Sequence, residues 1–166
     1  MRVFLAILLV ISMVSLVSFI SAAEEVHIYI TEYGIYEAVI EKNKATLETA
    51  SGVSNLKEPK LIEQTVKIPA ALGKRFGYRF IVSGDIQEKS VDIVLRVRSP
   101  RITRPSDNKE FSVQEVLLKK ILLGQKQYVD YGLSNSWELV PGLWSMQLFY
   151  KDKLLAEKTF TVYAPY

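Results

Sequence analysis

Three short patterns in the chain could carry nucleophilic chemistry. Ser-x-x-Lys at 54–57, Ser-Asp-Asn at 106–108 and Lys-Thr at 158–159 follow the order of the motifs of serine β-lactamases and penicillin-binding proteins. That chemistry needs the serine at the start of a helix and a glycine after the Lys-Thr pair. Here the serine stands in a polar stretch before Pro59, and Phe160 replaces the glycine. These residues therefore predict a loop, a turn and a strand rather than a catalytic centre.

A metal centre or an acid–base pair finds little support in the composition. The chain has one histidine, His27, and no cysteine, so a zinc site would lack its usual nitrogen and thiolate ligands. His27 is predicted to face solvent from an N-terminal strand. No calcium-loop spacing occurs, and a glycosidase pair would need a deep cleft that small sandwiches rarely provide. The sequence thus predicts no cofactor, no metal site and no enzyme. The carboxylates weighed are Glu24, Glu25, Asp85, Glu88, Asp107, Glu110, Asp130 and Asp152.

Aromatic side chains are the stronger candidates for a binding surface. Strand parity or a loop position could expose them, and exposed flat rings stack on sugars or anchor a protein partner. The alternative is that each ring covers a sheet edge or packs under a loop. The candidate binding surface consists of Tyr33, Tyr36, Tyr131, Trp137 and Phe149, and Tyr29 is a further ring of the same kind.

The first 23 residues have the order of a secretory signal peptide. A short basic start is followed by an almost wholly apolar stretch at 3–20 and by small residues, and we expect cleavage after Ala23. The stretch exceeds the usual length of about 7–15 residues, so an uncleaved membrane anchor is the alternative. A lipoprotein would need a cysteine to acylate. The sequence predicts a periplasmic or secreted protein with a single domain at 24–166.

The charge of that domain is close to neutral. Without Arg2, 20 Lys and Arg stand against 18 Asp and Glu, and the two signs are interleaved along the chain. A nucleic-acid binder would show clustered positive charge. We therefore expect no nucleic-acid partner.

The closing stretch 136–163 predicts a β-hairpin that needs a partner sheet. Large apolar residues alternate from Trp144 to Tyr150, a polar tip follows at 151–153, and Phe160 and Val162 continue on the returning strand. Lys158 shares the parity of these apolar residues. We expect its stem to pack inside while its ammonium reaches the rim, with a bulge as the alternative.

The middle of the chain predicts further strands. Alternation at 76–82 and 91–97 favours a central pair joined by a hairpin loop, and 60–68 favours another strand. The prolines and polar residues of 99–108 predict a loop that crosses between sheets. Segment 112–123 fits either a strand or a capped helix, and its surroundings favour a strand. Together these elements predict an all-β fold, an antiparallel β-sandwich of about eight or nine strands.

Several short motifs resemble one protein family. Tyr-Gly-Ile-Tyr at 33–36, Leu-Gly-x-x-Phe-Gly at 72–77 and Trp-Glu-Leu-Val-Pro-Gly-x-Trp at 137–144 occur in this order. They resemble a family of small exported bacterial domains of unknown function. The resemblance implies an immunoglobulin-like sandwich and a bacterial envelope setting, and it supplies no catalytic or binding residues.

These observations lead to two expectations for function. The first is a non-catalytic exported domain that binds another envelope protein or assists assembly, through an edge strand or exposed aromatics. The alternative is a carbohydrate-binding module for peptidoglycan or polysaccharide. A row of exposed coplanar rings would favour sugar, whereas a long unpaired edge beside an apolar patch would favour a protein. Contact with a membrane is expected only through an uncleaved signal segment.

Overall fold

The computed structural model describes residues 25–37 and 59–165. Within these ranges it contains nine β-strands and one turn of 3-10 helix at Ser136–Glu138. None of the described helical residues forms a helix long and apolar enough to cross a membrane. The strands are β1 (Val26–Glu37), β2 (Lys60–Glu63), β3 (Lys67–Pro69), β4 (Arg75–Gly84), β5 (Ser90–Arg104), β6 (Lys109–Leu122), β7 (Lys126–Gly132), β8 (Gly142–Tyr150) and β9 (Lys153–Tyr163).

The strands form two facing sheets. One has the order β2-β1-β4-β7, and the other has the order β3-β9-β8-β5-β6. All pairings are antiparallel except that of β3 with β9. The predicted all-β sandwich of eight or nine strands is therefore confirmed.

Side chains from the inner faces of both sheets fill the space between them. Trp144 is fully buried at the centre, and its ring lies 5.8 Å from Phe76 and 4.8 Å from Tyr131, measured between centroids. The Tyr78 hydroxyl donates a hydrogen bond of 3.2 Å to the Met146 carbonyl in the opposite sheet. Each large apolar side chain buried in this way contributes roughly 1.5–3 kcal/mol. The aromatic cluster therefore ties the two layers together.

The closing hairpin has the structure that its alternation predicts. β8 and β9 pair from Gly142↔Val162 to Tyr150↔Lys153, and Phe160 is fully buried. Lys158 is half-buried, and its Nζ lies 3.3 Å from the ring centroid of Tyr33 in the opposite sheet. Lys158 thus points inward as expected, and the register shift of the hairpin lies elsewhere, between Leu148 and Phe149.

The predicted central pair at 76–82 and 91–97 is wrong. These segments form β4 and β5, which are interior strands of different sheets and do not pair with each other. The connection after Gly84 crosses between the layers instead of closing a hairpin. Two consecutive strands with one apolar face each can bury those faces against each other across the core. Alternation alone does not distinguish this arrangement from side-by-side pairing.

Two other connections also differ from the prediction. Residues 99–104 continue β5, and the chain turns at 105–108 into β6 of the same sheet. Pro100 is tolerated because the register shifts between Arg98 and Ile102, where a bulge leaves residues without ladder bonds. The single strand expected at 60–68 is split into β2 and β3, which lie in different sheets.

Segment 112–123 is a strand, as preferred, because it forms most of β6. His27 is exposed on β1, as predicted, and its Nε2 lies 3.4 Å from Glu25 Oε1. The expected signal segment, its cleavage site and the polar stretch 41–58 lie outside the described residues.

Candidate functional site

Two of the five predicted surface aromatics are not on the surface. Tyr36 is 3% exposed and Tyr131 is 6% exposed, so the exposure expected of them is wrong. Tyr131 faces the core on β7, where its hydroxyl donates to Glu138 Oε1 at 2.9 Å. Tyr36 lies on the outer face of the four-stranded sheet but is covered by neighbouring side chains. Neither ring can stack on a ligand in this conformation.

The other three predicted aromatics are half-buried. Tyr33 lies beneath the ammonium of Lys158, and Trp137 packs against the margin of the core. Phe149 is on the outer face of the five-stranded sheet, where the Arg96 guanidinium lies 4.3 Å from its ring centroid. The three rings belong to different parts of the molecule and do not form one planar row. A binding role for each of them stays a prediction.

Six polar side chains form a cluster on the outer face of the four-stranded sheet. The rings of Tyr36 and Tyr128 meet edge to face with centroids 4.8 Å apart. By register they lie around Gly34 and Gly77, which face each other on β1 and β4. A Cβ at Gly77 would lie 2.0 Å from the Val129 carbonyl oxygen, so a side chain does not fit there. The cluster consists of Glu32, Tyr36, Arg75, Arg79, Tyr128 and Asp130.

The charges of this cluster satisfy one another. Arg75 donates two hydrogen bonds to the Asp130 carboxylate, from Nε at 2.5 Å and from Nη2 at 2.9 Å. Arg79 Nε lies 3.2 Å from Glu32 Oε1, which also accepts the Tyr36 hydroxyl at 3.1 Å. Burial, and then the charge of Glu32, raises the pKa of Tyr36 well above its usual value. The hydroxyl therefore stays a neutral donor, and the ion pairs of the cluster link β4 to β1 and to β7.

A cleft of about 430 Å³ lies next to this cluster. Its polar wall includes Arg75, which is already paired with Asp130, and Ser134, whose hydroxyl donates to the Gly132 carbonyl at 3.4 Å. Among the residues that line it, no imidazole stands beside a hydroxyl. The lining residues are Ile35, Tyr36, Glu37, Ile62, Gly73, Lys74, Arg75, Gly132, Leu133 and Ser134.

The catalytic patterns do not converge in the described part of the chain. The 106–108 pattern is in the β5–β6 turn, where Asp107 binds Arg104, and Lys158 lies over Tyr33. The 54–57 pattern is outside the described residues. Nor does any group of three His, Cys, Asp or Glu within the described ranges have the geometry of a metal site.

The outer edge of β6 is the most unusual surface of the sandwich. β6 is 14 residues long and ends the five-stranded sheet, pairing only with β5 among the described strands. Its other edge presents unpaired N–H and C=O groups, which can template pairing with another chain. No residue of β6 is classed as buried, since the four-stranded sheet does not cover this strand completely. Both the side chains of β6 and the main-chain groups along its outer edge are therefore accessible to a binding partner.

The two ends of this edge are protected, but its middle is not. Lys109 begins the strand, and Lys119 and Lys120 follow the middle, where Lys120 has a positive φ of 55° and its N–H is held by Asp92 at 2.9 Å. Lysines and bulges are the usual defences of an edge strand. Residues 113–118, Val-Gln-Glu-Val-Leu-Leu, keep regular register with β5 and contain no lysine. We call these six residues the open segment.

An apolar stripe runs from the open segment across the outer face of the sheet. Cross-strand register aligns Leu117 with Val94, Val94 with Phe149 and Phe149 with Leu154. Leu117 is 50% exposed and Leu154 is 44% exposed. Contiguous exposed apolar surface of this kind marks interaction sites more often than isolated residues do. Phe149 is thus the predicted aromatic that the structure connects to the open segment.

Sequence reasoning missed one buried charge, Glu138. Its carboxylate is fully buried in the connection between β7 and β8, where it accepts backbone N–H groups of Ser134 at 2.9 Å and Asn135 at 2.7 Å. Tyr131 and the Asn135 side chain donate to it as well. The signal was present, because Asn followed three residues later by Glu is a capping box. This carboxylate holds the loop, and it leaves no open position for a ligand.

Comparison with known proteins places the fold and the family. An immunoglobulin-like protein from Pseudomonas aeruginosa, solved as a crystal structure, is 31% identical to this chain with a TM-score of 0.61. The match covers 86% of this chain and 99% of that one. The sandwich is accordingly immunoglobulin-like, as the sequence resemblance implied.

Two other solved structures show weaker likeness. A protein from Akkermansia muciniphila is 9% identical with a TM-score of 0.44, over 83% of this chain and 71% of that one. The alkylpurine DNA glycosylase AlkC from Pseudomonas fluorescens is 15% identical with a TM-score of 0.34, over 60% and 28%. At these values neither likeness supports a conclusion about this chain. The search of curated proteins found no match.

A family model matches residues 24–162, which is most of the chain. The predicted membership of a family of unknown function is therefore confirmed. The chain belongs to the family described as Domain of unknown function (DUF3859).

Proposed function

We propose that this chain is a non-catalytic, exported domain of the bacterial envelope that binds another envelope protein. The partner adds an extended segment along the outer edge of β6, over the open segment. In this mode, main-chain hydrogen bonds supply affinity and alternate side chains supply specificity. One observation carries the proposal: the 14-residue strand β6 pairs with β5 alone among the described strands, and its middle, 113–118, contains no lysine, proline or bulge.

The surroundings of the open segment support this mode of binding. An added strand would place its outward side chains beside Val113 and Leu117, which are 45% and 50% exposed. Its inward side chains would cover Val116 and Leu118, which the four-stranded sheet leaves half-exposed. Both faces of the new strand would therefore find apolar neighbours as well as main-chain partners.

The alternative function, a carbohydrate-binding module, has less support. Stacking on sugar rings needs exposed flat aromatics in one plane. Tyr36 and Tyr131 are buried, and the remaining candidates point from different surfaces. Tyr29 is 58% exposed, but a single ring gives a small platform.

Export rests on the sequence of the first 23 residues, which has the order of a signal peptide. The similar immunoglobulin-like protein comes from a bacterium, in keeping with a bacterial setting. Absence of cysteine also fits a domain held by packing alone, because nothing in it depends on disulfide formation after export.

The test is site-specific photocrosslinking in the intact envelope. A photoreactive residue replaces Leu117 in the open segment, and in a matched control it replaces Leu143, which is 67% exposed on β8. We expect Leu117 to capture one envelope protein other than this chain, in a product of defined mass, and Leu143 to capture none. Adding Val113→Lys should reduce that capture, because it gives the open segment the lysine that it lacks.

Two results would contradict the proposal. Equal capture at Leu117 and Leu143 would show general proximity rather than a binding edge. Recovery of polysaccharide alone at Leu117 would favour the carbohydrate function.

A further inference from the structure

The sequence of β6 is complementary to itself in one antiparallel register. If two copies of the strand meet around a twofold axis perpendicular to the sheet at Leu117, then Leu117 faces Leu117, and Val116 faces Leu118. Glu115 of each copy then faces Lys119 of the other. By strand alternation these three residues, Glu115, Leu117 and Lys119, lie on the same outer face.

The charges at these positions are arranged for such pairing. Lys119 is exposed and has no ion-pair partner among the described residues. Glu115 is bound by Arg96 at 2.6 Å, and its side chain remains about half-exposed. Opposite charges placed across an antiparallel pair are stabilising, and like charges there are destabilising. The Leu117 register gives two attractive pairs and no repulsive one.

Neighbouring registers lack this match. An axis at Val116 would set Glu115 against Leu117 and leave Lys119 opposite Val113. An axis at Glu115 would set the two glutamates directly against each other. Moving the axis to Leu118 would place Leu117 opposite Lys119. Charge complementarity therefore selects Leu117. The regular register with β5 ends at Leu118, and Lys119 and Lys120, which has a positive φ, lie in the bulge opposite Asp92.

We infer that two copies of this chain pair β6 with β6 in the Leu117 register, joining their five-stranded sheets into one continuous sheet. A copy bound in this way covers the open segment and protects it from unspecific pairing. The inference concerns the same edge as the proposed function, and one consequence rests on that function: an envelope partner must displace the second copy. The affinity of the dimer would then determine how tightly an envelope partner must bind in order to displace the second copy.

The test is a charge exchange followed by sedimentation velocity over a concentration series, on the protein recovered from the envelope. Glu115→Lys places lysine opposite Lys119, and Lys119→Glu places glutamate opposite Glu115. We expect each variant to weaken the dimer about tenfold, because both symmetric pairs become repulsive. An equimolar mixture of the two variants should restore the wild-type affinity, since every pair in the mixed dimer is again attractive.

The mixture controls for stability and for the lost contact with Arg96. A variant that dimerises poorly because it is misfolded cannot be rescued by a partner carrying the opposite change. A wild-type protein that stays monomeric at all concentrations would overturn the inference. So would a dimer that the two variants leave unchanged, or a mixture no tighter than either variant alone. Crosslinking at Leu117 distinguishes the two proposals by mass, because capture of a second copy gives a product of twice the mass of the chain and capture of an envelope partner gives a product of a different mass.

Discussion

The two long hairpins of the five-stranded sheet differ in how deeply their second strands are buried. In the β8–β9 hairpin, Trp144 and Phe160 are fully buried, and β3 pairs with the last three residues of β9, 161–163. In the β5–β6 hairpin, β5 has five buried residues, whereas β6 has none, and the outer edge of β6 pairs with no other described strand. The same secondary structure therefore supports the core in one place and presents a surface in the other.

This difference separates stability from binding within one sheet. Changes in β8–β9 should lower the free energy of unfolding, because they disturb packing between the layers. Changes in the open segment of β6 should alter association while leaving the fold intact. The following predictions test that separation, beginning with the largest expected effect.

Trp144→Ala should lower the free energy of unfolding by about 3–5 kcal/mol, because it opens a cavity beside the rings of Phe76 and Tyr131. Leu143→Ala, one residue away and 67% exposed, should change it by about 0.5 kcal/mol or less. Urea denaturation of both variants measures the difference. Similar losses for the two would mean that this hairpin is not the centre of the core.

Glu138→Ala should lower the free energy of unfolding by about 3 kcal/mol, since it leaves several buried donors without their acceptor. Glu157→Ala is the control, because Glu157 is exposed and accepts a surface bond from Gln147 at 3.0 Å. Thermal and urea unfolding compare the two. Equal stability would show that water replaces the Glu138 carboxylate easily.

The contact between Lys158 and Tyr33 should couple the two sheets by about 1 kcal/mol. A double-mutant cycle with Lys158→Met and Tyr33→Leu measures this term, and methionine keeps most of the packing of the lysine stem. Strict additivity of the two changes would contradict the cation–π contact seen at 3.3 Å.

Leu117→Lys should change the free energy of unfolding by about 0.5 kcal/mol or less, because Leu117 is half-exposed. It should nevertheless reduce association at the edge of β6. Unfolding and sedimentation on the same preparation separate the two effects. A large loss of stability would show that the open segment belongs to the core after all.

The smallest effect concerns the turn between β5 and β6. A hydrogen bond from Arg104 lowers the pKa of the Asp107 carboxyl to about 2. The pKa of Asp107 is lower in the folded protein than its unfolded value of about 3.9, so its bond to Arg104 adds to the free energy of unfolding at pH values above about 3.9. This contribution is lost as the pH falls through about 2. NMR titration of Asp107 measures this directly, and Arg104→Gln should return the pKa toward its usual value. An unshifted Asp107 would contradict the pairing.

The sequence predicted the positions of the strands better than it predicted which strands lie next to each other. Alternation located the strands around Trp144 and Phe160, and it placed Lys158 on the inner face. It could not tell whether β4 and β5 lie side by side or face each other, because both arrangements bury the same side chains. Proline also misled the prediction at 99–108, since a bulge let Pro100 remain within a strand.

The candidate site was predictable only in part. The outer position of Phe149 follows from parity, whereas the burial of Tyr36 depends on Tyr128, a ring 92 positions along the chain. The open edge of β6 was invisible in the sequence, because being last in a sheet is a property of topology. Its lack of lysines between 113 and 118 became informative only once the strand order was known.

Hydrogen exchange along β6 tests the central account most directly. In dilute protein, amides of 113–118 that point away from β5 should exchange rapidly, while alternate amides bonded to β5 stay protected. When the edge is covered by a partner strand or a second copy, the first set should become protected and the second should not change. Uniform protection in both conditions, or new protection confined to other strands, would contradict the account.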